Sequence, residues 1–243
     1  MADYNNTTTK AGILQKIEFF TGLGDTGVSG NAVLKAQMTG FINDWLGVMV
    51  GDVLQVDGRF QWDDTNYSDQ PIATFNLVSA QRGYSFTEDE DLNQILDVTR
   101  VEVMDEAGLW SVLTPIDQTQ IQQGYNEFMK GDGIPRYFDW NGTVLNLFPA
   151  SSYNSTNGCK VWFKREGSFF TTSDTTKEPG FASPFQKILW LGPSYDYALS
   201  QSLPNAATLR QEVELERERL REFYSRRNKY EQPRISGHVR SAR

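Results

Sequence analysis

The sequence predicts an α+β protein: an antiparallel helical bundle formed from the N- and C-terminal helices, with an inserted β-rich, sandwich- or barrel-like domain and an extended C-terminal arm. Apolar residues recur with a period near four at both ends of the chain, alternate with a period near two in its middle, and lose any period after Tyr230. The divisions that follow are residues 1–51 for the N-terminal helices, 52–182 for the β domain, 183–230 for a C-terminal helical hairpin and 231–243 for the arm.

Thr9 is placed to cap a first helix carrying Ile13, Leu14, Ile17 and Phe20 on one face, and Gly22 and Gly24 stop it. A glycine-rich loop, read as a long flexible joint, leads to Asn31. This residue is a good N-cap for a second helix with Leu34, Met38, Phe41, Ile42, Trp45 and Met49 in register. From Val53 the signals become those of strands. Residues 53–56 and 59–62 flank Asp57-Gly58, a dipeptide that supplies positive φ in a tight hairpin. Residues 72–78, 98–104, 109–113, 144–148 and 160–164 read as further strands, with Ala107-Gly108 and Asn141-Gly142 as turns. In Val161-Trp162-Phe163 the two aromatic side chains point to opposite faces, so one covers the outer side of the sheet or a neighbouring chain. Short helices are expected around residues 91–96 and 117–128.

Helical period returns at Ser183-Pro184, an N-cap followed by proline at the first helical position. Phe185, Ile188, Leu189, Tyr195 and Leu199 form the buried stripe, and Pro193 removes one backbone donor and should kink the helix. Leu203-Pro204-Asn205 ends it and caps the last helix, whose buried face holds Leu209, Val213, Leu220, Phe223 and Tyr224.

With 243 residues, 39% of them apolar and 13% aromatic, the chain can bury a sizeable core. No run approaches the roughly 18–20 apolar residues that cross a bilayer, and the first residues form no apolar signal region, so the chain is expected to be made and kept in a cytoplasm. Charge is split unevenly. Residues 219–243 hold eight Arg or Lys against two Glu, leaving 15 basic and 29 acidic groups of the chain's 23 and 31 for the rest. A basic arm therefore follows an acidic body, and it is expected to stay disordered until it meets a partner of opposite charge.

The residues argue against most catalytic chemistry. One cysteine, Cys159, excludes an internal disulfide and a multi-cysteine zinc site, and it reads as a buried apolar residue. The one histidine, His238, lies in the arm, which removes Ser/His/Asp and Cys/His groups. Gly22-Leu23-Gly24-Asp25-Thr26-Gly27 matches a dinucleotide-binding pattern, but it follows a helix instead of a strand. Asp25-Thr26-Gly27 lacks the apolar flanks that would hold an aspartyl dyad. Asp63-Asp64 and Glu88-Asp89-Glu90-Asp91 read as solvated acids without calcium-loop spacing. No catalytic residue, cofactor or metal is expected. Trp62, Trp110, Trp140 and Trp162 leave open an alternative, a carbohydrate-binding or glycan-hydrolysing virion protein that uses the aromatic β domain. A DNA-binding tail is a third reading, opposed by Glu212, Glu214, Glu216 and Glu218 in the same helix.

A series of short motifs carries a resemblance. It comprises Leu113-Thr114-Pro115-Ile116-Asp117, Gly133-Ile134-Pro135-Arg136-Tyr137-Phe138, Leu145-Asn146-Leu147-Phe148-Pro149-Ala150, Lys160-Val161-Trp162-Phe163-Lys164-Arg165 and Glu178-Pro179-Gly180-Phe181. With the helix over 184–203, this series resembles head-to-tail connector (adaptor or neck) proteins of tailed bacteriophages, over residues 95–230. The resemblance implies a virion structural protein and no enzyme: a homo-oligomeric ring, usually of twelve copies, sitting in the neck below the portal and assembled in the host cytoplasm. It implies that the last bundle helix is followed by a portal-docking arm with Tyr230, Arg234, Ile235, His238, Val239, Arg240 and Arg243. A tail or second neck protein would lie below, with no membrane partner. The loops over 22–30 and 63–69 match no motif of that family. The residues fit such a role: an acidic body repels phosphates, so DNA can slide through a channel without sequence-specific binding.

Overall fold

A computed structural model describes residues 2–57, 72–89, 92–116, 124 and 131–227. It shows a mixed α and β protein whose chain divides into two compact units. One holds Met1–Phe60 with Phe169–Arg243, the other Gln61–Ser168. Both borders of the second unit fall inside the expected 52–182 block.

In the first unit, helix α1 (Ile13–Thr21) starts at Gly12, which offers no side-chain cap, so Thr9 does not cap it. A side chain at residue 12 would collide with Gln15 and the Asn6 backbone, so only glycine fits. Gln15 does the fastening instead: its Oε1 accepts from the Asn6 N–H at 2.8 Å and its Nε2 donates to Asn5 Oδ1 at 2.7 Å. Gly22 ends the helix in the left-handed region, as expected. The following loop is a run of turns tied to α1, not a free joint. Buried Glu18 accepts from the backbone N–H of Val28 at 3.1 Å and of Ser29 at 2.7 Å, and from the Ser29 hydroxyl at 2.7 Å.

Helix α2 (Ala32–Val56) is capped by Asn31, whose Oδ1 accepts from Val33 and Leu34 N–H. It runs through residues 53–56, expected as a strand. The reason is periodicity: Val53 extends the buried stripe of Ile42, Leu46, Met49 and Val50, and a single turn of helix reads as alternation over four residues. The partner strand over 59–62 lies outside the described residues.

A single 3₁₀ turn (Ser183–Phe185), carrying Pro184 in its first positions, precedes helix α3 (Ile188–Ser200), so the expected helix starts later than Ser183. Pro193 is buried inside α3, which continues past it. Beside it, Gly192 lets the Trp45 indole of α2 approach the helix backbone, where any Cβ would overlap the ring. Trp45 Nε1 donates to Asp196 Oδ2 at 2.6 Å across the same contact. Leu199, expected in the buried stripe, is 59% exposed. Ile188 and Leu189 are buried as expected, joined by Leu191 and Ala198. Helix α4 (Ala206–Arg227) follows after a short turn. Helix α3 packs on α1, α2 and α4, and α2 packs on α4.

The second unit holds the strands. One antiparallel sheet runs β1 (Ile72–Leu77), β10 (Ser155–Arg165), β3 (Ile95–Met104) and β4 (Trp110–Val112). Another runs β2 (Gly83–Ser85), β8 (Val144–Phe148), β7 (Tyr137–Trp140) and β5 (Thr114–Pro115), with β5 parallel to β7. A parallel pair joins β6 (Asp132–Gly133) to β9 (Ala150–Ser151). The β3–β4 and β7–β8 hairpins turn at the expected Gly108 and Gly142. Among the described residues of 91–96 there is no helix: Gln94 bridges Glu88 and Ile95 opens β3 with its side chain buried. The other expected short helix, over 117–128, lies outside the described residues apart from Gly124. One cluster of buried side chains draws on both four-stranded sheets, including Val101, Val103, Val161 and Phe163 from the first and Phe138, Leu145 and Leu147 from the second.

Gly192→Ala is expected to destabilise the protein by about 1–3 kcal/mol, because the methyl has nowhere to go but into the Trp45 ring. Thermal unfolding followed by circular dichroism checks this; an unchanged melting temperature would show that α2 and α3 can part at no cost.

Candidate functional site

The last helix was singled out by its sequence, and its residues separate in space. Leu209, Val213, Leu220 and Tyr224 are buried, whereas Phe223 is 46% exposed, its ring tilted against Phe185 and edge-to-face with Tyr224. The turn between Val213 and Leu220 places Glu216 in the buried stripe, paired with Arg219 at 2.9 Å. Tyr224 Oη accepts from the Ala182 N–H at 3.2 Å. The proposed arm residues Tyr230, Arg234, Ile235, His238, Val239, Arg240 and Arg243 lie outside the described residues.

Much of the basic charge read at the end of α4 is matched within the helical unit. Buried Asp52 of α2 accepts from Arg217 (Nε at 2.8 Å, Nη2 at 3.2 Å) and from Arg221 (Nε at 3.1 Å, Nη2 at 2.5 Å). Glu214 pairs with Arg217 at 3.3 Å, Glu212 with Lys187 at 3.1 Å, and Glu222 with Arg226. Burial pushes the Asp52 carboxyl upward, but the hydrogen bonds and charges of the two guanidinium groups outweigh it and hold the carboxyl below its ordinary value. The hydrogen bond to Asp52 raises Arg217 in turn. The sequence reading counts Arg221 in the basic end of the chain but gives neither arginine a partner. Asp52 lies one turn after Met49 on the buried side of α2, yet a charged residue in a helix reads as solvated until its partner 165 positions away is known.

Two surface features stand out on the same unit. An open groove of about 840 Å³ runs along α3 and α4, floored by Leu199, Leu203 and Leu215 and rimmed by Arg210, Glu214 and Glu218. Near the end of α1, a cleft of about 500 Å³ is lined by Lys10, Lys16, Glu18, Phe19 and Asp25. Lys16 Nζ sits 3.6 Å from the centre of the Trp190 ring, and burial lowers its pKa. Phe19 is 81% exposed, which is unusual for a large apolar side chain. Asp25 of the glycine-rich pattern pairs with Lys10 at 2.5 Å in the loop after α1.

In the β unit, Trp162 is half-buried on the outer sheet face while Val161 and Phe163 enter the core, so the aromatics of β10 do point to opposite faces. The Arg100 guanidinium lies 5.5 Å from the Trp162 ring, and Lys160 Nζ lies 4.1 Å from that of Trp110. Trp140 donates to the Phe86 carbonyl at 3.2 Å and packs on the core. Trp62 and Asp63-Asp64 lie outside the described residues. Two of the aromatic faces considered as sugar platforms therefore carry protein cations already. Asp89 pairs with buried Arg165 at 2.8 Å. Cys159 is buried, and its thiol is pushed far up by desolvation, which disfavours the nucleophilic thiolate. Among the described residues, no cluster of His, Cys, Asp or Glu is placed to hold a metal ion, and no helix is long and apolar enough to cross a membrane.

No family model matches the chain, and no curated protein matches it.

Asp52→Asn is expected to cost about 2–4 kcal/mol near neutral pH, since it removes the buried charge that Arg217 and Arg221 share. Because the folded carboxyl titrates below its unfolded value, this stabilisation is complete above pH about 4 and disappears as pH falls through the folded pKa. Urea unfolding at pH 7 and at pH 3 should show the gap between parent and variant shrinking; a gap that widens in acid would contradict the assignment.

Proposed function

We propose that the protein is a structural component of a tailed-bacteriophage virion: a head-to-tail connector whose copies form a ring, of about twelve, below the portal. The observation that carries this reading is chain order. Helices from both ends of the chain gather in one compact unit and the middle forms a separate β unit, which is the arrangement expected of an antiparallel bundle with an inserted sandwich-like domain. The motif series over residues 95–230 points to the same family. In this reading the helical unit and β unit build the ring wall, and the acidic excess of the chain keeps packaged DNA from adhering. Residues 231–243 dock on the portal, with Arg234, Arg240 and Arg243 meeting acidic groups and Ile235 and Val239 filling apolar sites. A tail or second neck protein binds below, and no cofactor, metal or catalytic step is involved.

The pairing of Arg219, Arg221 and Arg226 with acids favours this reading over a DNA-binding tail, because those guanidinium groups are already engaged.

Mass photometry of the protein, alone and mixed with the portal from the same source, is expected to give a discrete mass near twelve subunits in at least one condition. A persistent monomer in both would sink the connector reading. Deleting 231–243 is expected to leave the melting temperature within about 2 °C of the parent while abolishing attachment to the portal. Retained attachment would move docking elsewhere.

A further inference from the structure

We infer that neighbouring copies join through a knob-and-groove contact, in which Phe19 of one copy enters the α3–α4 groove of the next; this rests on the ring-forming reading above. The knob is the most exposed of the large apolar side chains among the described residues, at 81%. The groove offers an apolar floor with Leu199 at 59% and Leu215 at 47% exposure, and its volume of about 840 Å³ is ample for a phenyl ring.

Charge supports the match. Lys16 lies one turn before Phe19 on the same face of α1, and among the described residues it pairs with no carboxylate; its ammonium rests on the Trp190 ring. Glu218 on the groove rim likewise pairs with no cation among the described residues, and Glu214 beside it reaches only Arg217. Arg210 is the one opposing charge on that rim. A copy arriving with Phe19 foremost brings Lys16 against Glu218, while Lys10 and Glu214 beside them keep their partners Asp25 and Arg217 within their own copies.

Placement makes the contact head-to-tail. Trp190 faces Lys16 of α1, whereas Leu199 lines the groove. These two residues of α3 are separated by about two and a half turns, so they point to opposite sides of the helix. Helix α1 therefore covers one face of α3 while the groove opens on another, and the end of α1 reaches the α3–α4 turn, where Asn205 Nδ2 donates to the Phe20 carbonyl at 3.1 Å. Such a contact joins two different patches and propagates from copy to copy until it closes.

The test uses two variants of the full chain, Phe19→Asp and Leu215→Asp. Both positions are exposed in the monomer, so each variant is expected to keep the parent's circular dichroism spectrum and melting temperature. Sedimentation of the wild type over a concentration series should show association, and each variant alone should associate at least about thirty-fold more weakly. Mixed in equal amounts, the two should form 1:1 pairs at twice the 27.6 kDa chain mass, because one still has its groove and the other its knob. If the variants assemble like the wild type, or if the mixture stays monomeric, the contact is wrong while the connector reading stands. A wild type that never associates overturns the contact as well, and the portal-bound mass then decides the connector reading separately.

Discussion

Asp52 of α2 accepts hydrogen bonds from Arg217 and Arg221 of α4, and so ties together two helices from opposite ends of the chain. The constraint is severe. A carboxylate with a side chain only 6% exposed is tolerable only if its charge is met, and among the described residues two guanidinium groups one turn apart meet it. Helix α4 can therefore slide or rotate against α2 only by abandoning that pairing. Apolar packing supplies most of the attraction between these helices, but leucines and valines tolerate small shifts in register. The buried ion cluster does not, and it fixes which turn of α4 faces which turn of α2.

Other features of the helical unit depend on that register. With α4 fixed, Glu216 falls inward, Tyr224 reaches the Ala182 backbone, and Lys187 meets Glu212. Helix α3 is then held between its neighbours, with Gly192 and Trp45 in van der Waals contact on one side and Leu209 and Val213 packed on the other. The outer edge of the α3–α4 pair is left without a covering element from the described residues, and its apolar floor is where a protein that assembles with itself would place a contact. The same internal pairing drains the positive charge from α4. A helix that reads as strongly basic toward its end presents a nearly balanced surface instead.

The β unit obeys a different logic. Its two four-stranded sheets share a core of alternating residues, so the outward positions of β10 and β3 can be aromatic and charged without harming the fold. Arg100 over Trp162 and Lys160 over Trp110 cover those aromatics with their own cations.

Periodicity by itself determined the existence of α1 to α4, the main strands β1, β3, β4, β8 and β10, and two glycine hairpins, because burial of one face imposes a period that is local in sequence. Asn31 and Gly22 were legible as helix ends for the same local reason. Short strands such as β2, β5, β6 and β9 left no readable signal, since two or three residues cannot display a period. The continuation of α2 through Val56 was misread, because four residues fit both periods and only packing distinguishes them. Glu18 holding the Gly-rich loop, Glu216 in a buried stripe and Asp52 between two arginines were invisible in sequence, where a charged residue reads as solvated. Tertiary structure alone decided these, because a buried charge is permitted only by partners that the chain brings back from far away.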